Sequence, residues 1–230
     1  MLTQSHKSLR RYFERTNIHS LIEITHSDIH ANDRSSRKLM EEKIAGEFET
    51  CYGAQVSHFL PHLLDFRCND RSLCLVGVNP VKAEAVFLEQ YLGETLEQAV
   101  ASKLMKPVLR SQLVEIGNLV SLHPGASLSV FLILAKILYQ AGFEHMVFTA
   151  TAQVKHIISK TGLEVITLAE ADPSRLSDGG KSWGTYYDTK PMVLVASLKN
   201  AKSILESIYE YSEFTKSLDL DIDNISKLIR

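Results

Sequence analysis

A mixed α/β sheet with helices on both faces is the fold class that this sequence predicts, and three observations predict it. Strand-like and helical segments follow one another along all 230 residues. Two early strands are joined by the two-residue turn Asn69-Asp70, so they pair antiparallel. Later strands are separated by helices long enough to serve as crossovers, which demands a sheet covered on both sides.

The elements follow from local pattern. Leu21–Thr25 (LIEIT) is β-branched and reads as a strand. Asp33 is a candidate cap for a helix whose apolar positions Met40, Ile44, Phe48, Cys51 and Tyr52 recur at helical spacing, and Gly53 ends it. Leu63–Cys68 and Ser72–Val78 form the hairpin about Asn69-Asp70. Ala83–Leu92 (AEAVFLEQYL) fits strand or helix; as a strand it would place Phe87, Glu89 and Tyr91 on one face. Thr95 opens a helix to Leu104, and Gln112–Leu122 is the most strand-like segment of the middle. Within it Gln112, Glu115 and Asn118 fall three apart, which strict alternation cannot place on one face and a bulge can.

His123-Pro124-Gly125 breaks that strand, and Ser127 is the expected cap of a long apolar helix to Tyr139 ended by Gly142. Met146–Ala150 is a strand, Val154–Lys160 a helix closed by Gly162, and Leu163–Leu168 a strand. Asp172–Lys190 is loop-like, with Gly179-Gly180 followed by Trp183, Tyr186 and Tyr187. Met192–Leu198 is the last strand; Ala201–Tyr211 and Asp221–Leu228 are helical. The chain reads as one domain over 1–230, with 1–20 an N-terminal extension and 199–230 closing helices, whose leucines and isoleucines suit a homodimer contact or equally packing on their own domain.

Composition removes several classes. Hydrophobic residues at 45% and charged residues at 23% are ordinary globular values, and a chain this long buries a core without disulfides or metal. A formal charge of −2, with no basic cluster interleaved with aromatics, argues against nucleic acid. Cys51, Cys68 and Cys74 lack metal-ligand spacing, and no Gly-x-Gly-x-x-Gly or Walker loop occurs. Met1–Arg15 lacks the apolar core of a signal peptide, and no apolar run reaches membrane-spanning length. A cytoplasmic protein without a metal or tightly bound cofactor is expected.

Glu115 is the most informative residue, because a carboxylate in an apolar strand is costly unless paired or used as a base. Asn118 and Ser121 suit the orientation of a substrate carbonyl from the same strand, or are simply its polar edge. Arg110 suits a phosphate or carboxylate, His123 acid–base chemistry near neutral pH, or both are surface residues. Glu89 and Tyr91 suit an acceptor-pocket wall, and the loop of Trp183, Tyr186 and Tyr187 suits a lid over an apolar chain or an anchor onto the core.

The run Val114-Glu115-Ile116-Gly117-Asn118-Leu119-Val120, the turn at His123, a helix, Phe148-Thr149-Ala150-Thr151 and a second helix resembles the central half of the GNAT acyltransferases. Glu115-x-x-x-Leu119 is similar to a strand of the acyl-homoserine-lactone synthases, which make autoinducers. Phe87–Leu92, Arg110, Val114–Gly117, Phe148–Thr151 and Trp183–Tyr187 together resemble the bacterial thermostable haemolysin family over roughly Phe48–Val195. The resemblance implies a mostly antiparallel sheet with a splayed central strand pair. It implies transfer of an acyl group from an acyl-carrier-protein or coenzyme A thioester to a small amine or hydroxyl acceptor. Glu115, Asn118 and His123 would then be catalytic, and Arg110, Gly125, Thr149, Thr151, Glu89, Tyr91, Trp183 and Tyr187 would bind substrates. The loop His123–Ser127 has one glycine and a proline without an N–H, where coenzyme A enzymes expose several amides; this favours a carrier-protein donor. The family label adds an alternative of membrane lysis, and a non-catalytic acyl-binding relative is a third reading.

Overall fold

The structure is a computed structural model that describes residues 22–30, 34–123, 126–159, 162–206, 216 and 218–230. Leu21, Asp33, Pro124 and Gly125 lie outside the described residues. Seven strands form one sheet: β1 Ile22–Asp28, β2 His62–Cys68, β3 Arg71–Pro80, β4 Leu113–Ser121, β5 His145–Ala150, β6 Val165–Glu170 and β7 Met192–Ser197. Their order is β1-β2-β3-β4-β5-β7-β6. Every neighbouring pair is antiparallel except β4 and β5. The helices are α1 Arg34–Tyr52, α2 Glu89–Leu92, α3 Leu96–Leu104, α4 Ala126–Gln140, α5 Ala152–Ser159, α6 Leu198–Glu206 and α7 Asp219–Ile229.

The β2–β3 turn is made by Asn69 at φ 48° and Asp70 at φ 61°, the left-handed pair that a tight hairpin needs and that these side chains tolerate. The expected helix at Thr95 is present, whereas Ala83–Leu92 forms no strand. Glu89–Leu92 is a single helical turn, stopped by Gly93 at φ 73°. Glu89 explains this: its carboxylate accepts from Val86 N at 3.1 Å and Leu96 N at 2.7 Å, bonds that fold the chain back on itself. Ser127 is likewise not the cap of α4, which begins one residue earlier; its hydroxyl donates to Ser121 Oγ at 2.8 Å.

Sheet alternation divides the interior. Val114, Ile116, Met146 and Phe148 face one side with Val130, Ile133 and Leu134 of α4, and α6 and α7 complete this core. Leu113 and Val147 face the other side, with Tyr91, Val100, Val193 and Val195. Next to them on that side, α1 lays Met40, Ile44 and Phe48 against Leu63, Leu75 and Val120. Among the described residues no helix is long and apolar enough to cross a membrane.

At the outer edge, His26 Nε2 lies 3.1 Å from His62 Nδ1, and Asp28 Oδ2 lies 3.0 Å from the same nitrogen. Burial holds His62 down to about 4; Asp28 opposes this, while His26, Lys82 and Arg37 add to it. Its folded value lies below the unfolded one, so the unfolded chain takes up the proton first as pH falls. Stability is therefore complete above about pH 6.5 and declines towards pH 4, by about 1–2 kcal/mol from this residue. Urea denaturation at pH 7 and pH 5 should show that loss, and His62→Gln should flatten the slope.

Candidate active site in the split between β4 and β5

The parallel ladder of β4 with β5 runs only from Leu113↔His145 to Ile116↔Phe148. Beyond it β4 stays with β3, and β5 stays with β7. The two strands thus part at Gly117 and Thr149, and among the described residues their facing edges carry no further ladder bonds there. The divergence has a local cause. Asn118 sits at φ 49°, and the β3–β4 register jumps from Gly77↔Gly117 to Leu75↔Val120, placing an extra residue on β4. Asn118 Oδ1 accepts from Leu60 N at 2.9 Å, and its Nδ2 donates to His58 O at 3.1 Å. These bonds hold the segment before β2 across the bulge and offset the left-handed backbone.

A cavity of about 140 Å³ fills the split. Ile116, Val130, Phe131, Leu134 and Phe148 line its α4 side, an aliphatic and aromatic slot. Phe48, Tyr52, Phe87, Tyr91, Trp183 and Tyr186 line the other side, with Glu115. A second cavity of about 190 Å³ shares Phe48, Tyr52, Leu119, Ser127, Phe131, Thr151 and Val154 with the first. It adds Glu47, Cys51, Ser121 and Gln153, a more polar approach from the ends of β4 and α1.

Glu115 is 1% exposed. Its Oε1 accepts from Leu88 N at 2.8 Å and its Oε2 from Asn79 Nδ2 at 2.8 Å. Burial raises its pKa; bonds from Asn79 and the backbone of Leu88 and Phe87 restrain the rise, and Glu89 adds to it. A buried carboxyl with a raised pKa, bordering a cavity, has the environment of a proton acceptor.

The aromatic side of the cavity is a fixed wall. Trp183 lies 5.9 Å from Phe48, 6.0 Å from Phe87 and 5.4 Å from Tyr186, centroid to centroid. Tyr91 and Tyr187 share a hydroxyl hydrogen bond of 2.6 Å, and Tyr186 OH donates to Thr149 Oγ1 at 3.3 Å. Thr185 N donates to Tyr52 O at 2.9 Å and Gln55 N to Ser182 O at 2.6 Å, fastening the loop to the end of α1. These ties anchor the loop onto the core, one of the two roles, lid or anchor, that its sequence suits; Asp178 accepts from Gly180 N and Ser182 N, both at 2.8 Å.

Of the residues singled out in sequence, Glu115, Asn118, Tyr91, Thr149, Thr151 and Trp183 line the cavity. Thr151 lies just past β5, where its Oγ1 accepts from Val154 N at 3.3 Å as the first turn of α5 forms. Asn118 is engaged on the 58–60 segment, so its amide works on the fold. Four expectations place elsewhere. Arg110 is absorbed by Glu89 at 2.5 Å, Glu97 at 2.6 Å, Glu84 O at 2.6 Å and Lys82 O, which leaves its guanidinium away from the cavity. Glu89 is therefore a structural partner of Arg110 and not a pocket wall. His123 is exposed past the end of β4 and lines neither cavity. Tyr187 stands behind the wall, touching the lining residues Trp183 and Tyr186 edge-on and Tyr91 through its hydroxyl. Gly125 lies outside the described residues. Phe87, grouped in sequence with Tyr91, lines the cavity as well, whereas sequence reasoning missed His58, Leu60 and Phe131; spacing within one element cannot reveal contacts made across several.

A family model described as thermostable hemolysin matches residues 30–202. No curated protein matches the sequence. Among solved structures, the acyl-homoserine-lactone synthase LasI is 14% identical, with 77% of this chain and 90% of that one covered at a TM-score of 0.52. FeeM, an N-acyl amino acid synthase from uncultured soil microbes, is 11% identical over 79% of this chain and 94% of its own, also at 0.52. BjaI, a coenzyme A-dependent acyl-homoserine-lactone synthase solved with SAM and isopentyl-CoA, is 10% identical over 81% and 89%, at 0.52. At these identities the shared property is the fold, a GNAT-like open sheet.

Gly184 is the tightest point of the aromatic wall. It holds φ 52°, and a Cβ there would lie 2.0 Å from Tyr52 O and 2.9 Å from the Gly53 carbonyl carbon. Gly184→Ala should therefore cost at least about 2 kcal/mol in urea denaturation. The fluorescence of Trp183, the single tryptophan, should shift towards that of a solvated indole.

Proposed function

We propose that this chain, which belongs to the thermostable hemolysin family, is an acyltransferase that moves an acyl group from an acyl thioester to a small amine or hydroxyl acceptor. One observation carries the reading: the sheet opens between β4 and β5 into a cavity that passes from an apolar slot under α4 to the buried carboxyl of Glu115.

The acyl chain would lie among Ile116, Val130, Leu134 and Phe148, with its thioester carbonyl in the gap beyond Ile116 and Phe148. Backbone N–H groups on the diverging strand edges are suited to the tetrahedral oxyanion, because no neighbouring strand consumes them. The carrier's arm would approach through the second cavity, past Ser121, Ser127 and Gln153. Acyl carrier protein and coenzyme A both present such an arm. The acceptor would meet the thioester from the Glu115 side. Glu115 takes the proton of the attacking group, the new bond forms at the carbonyl carbon, and the C–S bond breaks to release a thiol. Direct attack needs no covalent enzyme intermediate, which agrees with a lining that holds no activated nucleophile pair among the described residues.

The test is mass spectrometry of small-molecule products after incubation with acyl-carrier-protein and acyl-coenzyme A thioesters and a panel of amines and alcohols. An acylated acceptor is expected, and Glu115→Gln should lower kcat by roughly 10²–10³-fold while the thioester KM changes little. Turnover of the natural chain should rise with pH through the raised pKa of Glu115, and the variant should lose that limb. A variant with full turnover, or an acyl chain bound without any product, would overturn the reading.

A further inference from the structure

We infer that the acceptor is a primary amine carried on a flat aromatic body and lacking a carboxylate, an arylalkylamine, held by its ring against the wall of Phe87, Trp183 and Tyr186 and by its ammonium on Glu115. This rests on the acyltransferase reading and names the substrate class of the same cavity.

Three observations on this side of the split converge. The wall is continuous: Trp183 touches Phe87, Phe48 and Tyr186, and Tyr186 meets Tyr52 edge-on at 5.3 Å. Phe87 also stacks on His58 at 5.7 Å and meets Tyr91 at 5.8 Å. Such ring faces and edges receive a planar apolar group, and they attract a cation placed over them. Secondly, the carboxyl of Glu115 lies beside the wall, because Leu88, the neighbour of Phe87, donates its N–H to Oε1. Oε1 accepts from Leu88 N and Oε2 from Asn79 Nδ2, with the backbone of Phe87 as a further donor; a carboxylate has about four acceptor sites, so capacity remains at the cavity that Glu115 lines. Thirdly, the carboxyl-bearing residues lining the two cavities are Glu115 and Glu47, and among the described residues neither lining contains a lysine or arginine.

An amino acid would bring its own carboxylate within a few ångströms of Glu115, where burial strengthens the repulsion. An amine without that group meets only attraction. The ammonium also gives the reaction its first proton transfer. Glu115 accepts one proton from R–NH₃⁺, the neutral amine attacks the thioester carbonyl, and the second N–H proton leaves with the departing sulfur. The products are the amide and the free thiol, and Glu115 returns its proton to water.

Trp183 is the only tryptophan, so its fluorescence, excited selectively, reports this wall. The full-length chain is titrated without any thioester, using 2-phenylethylamine, phenylalanine, 2-phenylethanol and hexylamine. Saturable binding of 2-phenylethylamine is expected, with phenylalanine at least about tenfold weaker. Glu115→Gln should weaken 2-phenylethylamine about tenfold and leave 2-phenylethanol unchanged, a split that general loosening of the cavity would not produce. Should that variant not fold, Phe87→Leu serves, and is expected to weaken 2-phenylethylamine more than hexylamine. Phenylalanine binding as tightly as 2-phenylethylamine, or an unchanged affinity in Glu115→Gln, overturns the inference. Binding of the amine followed by no acyl product on adding thioesters would overturn acyl transfer alone, and acylation of amino acids in preference to amines would overturn the acceptor class alone.

Discussion

A parallel strand pair buried in the middle of a sheet normally continues its hydrogen bonds to the strand ends, because unpaired backbone in an interior is expensive. Here β4 and β5 stop pairing after four residues, and the rest of the structure is arranged around that interruption. Asn118 supplies the extra residue on β4 and absorbs the left-handed conformation. Its amide then does a second task, fixing the 58–60 segment across the opening through Leu60 and His58. Gly77, opposite, has no side chain, since a Cβ there would come within 2.7 Å of Asn118 Oδ1 and 3.0 Å of Leu60 Cβ. A bulge, a side-chain clamp and an opposing glycine therefore form one unit, and the split is built into the sheet.

Glu115 is made tolerable by a separate set of neighbours. Two residues before the parting point, its side chain points to the face opposite α4, where helices and the 172–190 loop enclose it. An isolated carboxylate at 1% exposure would be too costly to keep charged. Asn79, directly across β3, and the backbone N–H of Leu88 reduce that cost without forming an ion pair. The difference from Arg110 is instructive. Glu89 and Glu97 pair with that guanidinium, and the carbonyls of Lys82 and Glu84 take its remaining nitrogens, in a knot that ties α2 and α3 to the start of β4. A carboxyl held by neutral donors can change protonation state, whereas one held by arginine stays ionised, as the lowered pKa of Glu89 shows despite its burial.

Much of this was legible in the sequence, for identifiable reasons. The hairpin at Asn69-Asp70 was readable because left-handed backbone has a short residue menu. Glu115 was readable because a charge in an apolar strand contradicts its surroundings, and the three-residue spacing to Asn118 signalled the bulge. Glu89 and Arg110 were misplaced as pocket residues because the partner of each is distant in sequence, 21 residues away, and periodicity says nothing about such pairs. Phe87–Leu92 was ambiguous for the same reason: the Glu89 carboxylate collects the N–H groups of Val86 and Leu96 and winds a segment whose apolar pattern also suits a strand. The aromatic residues after Gly179-Gly180 were found, with lid and anchor left open, but not the partners that hold them, Tyr52 and Gln55, more than a hundred residues earlier.

Fixity of that wall bears on how the cavity discriminates. A mobile lid would adapt its rings to many acceptors, at the cost of ordering the loop each time one bound. In this chain the loop is already bonded to α1, Tyr186 to Thr149 on β5, and Tyr187 to Tyr91 in α2. Two helices and a strand, far apart in sequence, thus hold rings in place around one carboxyl before any ligand arrives. The opposite side of the split contrasts with it, lined by Val130, Phe131 and Leu134 of α4, apolar side chains that offer a chain no hydrogen bond. Preorganised polar and aromatic groups confer selectivity, and a plain apolar slot measures length. The stringent choice in this cavity therefore falls on the group entering beside Glu115, and the tolerant one on the chain lying under α4.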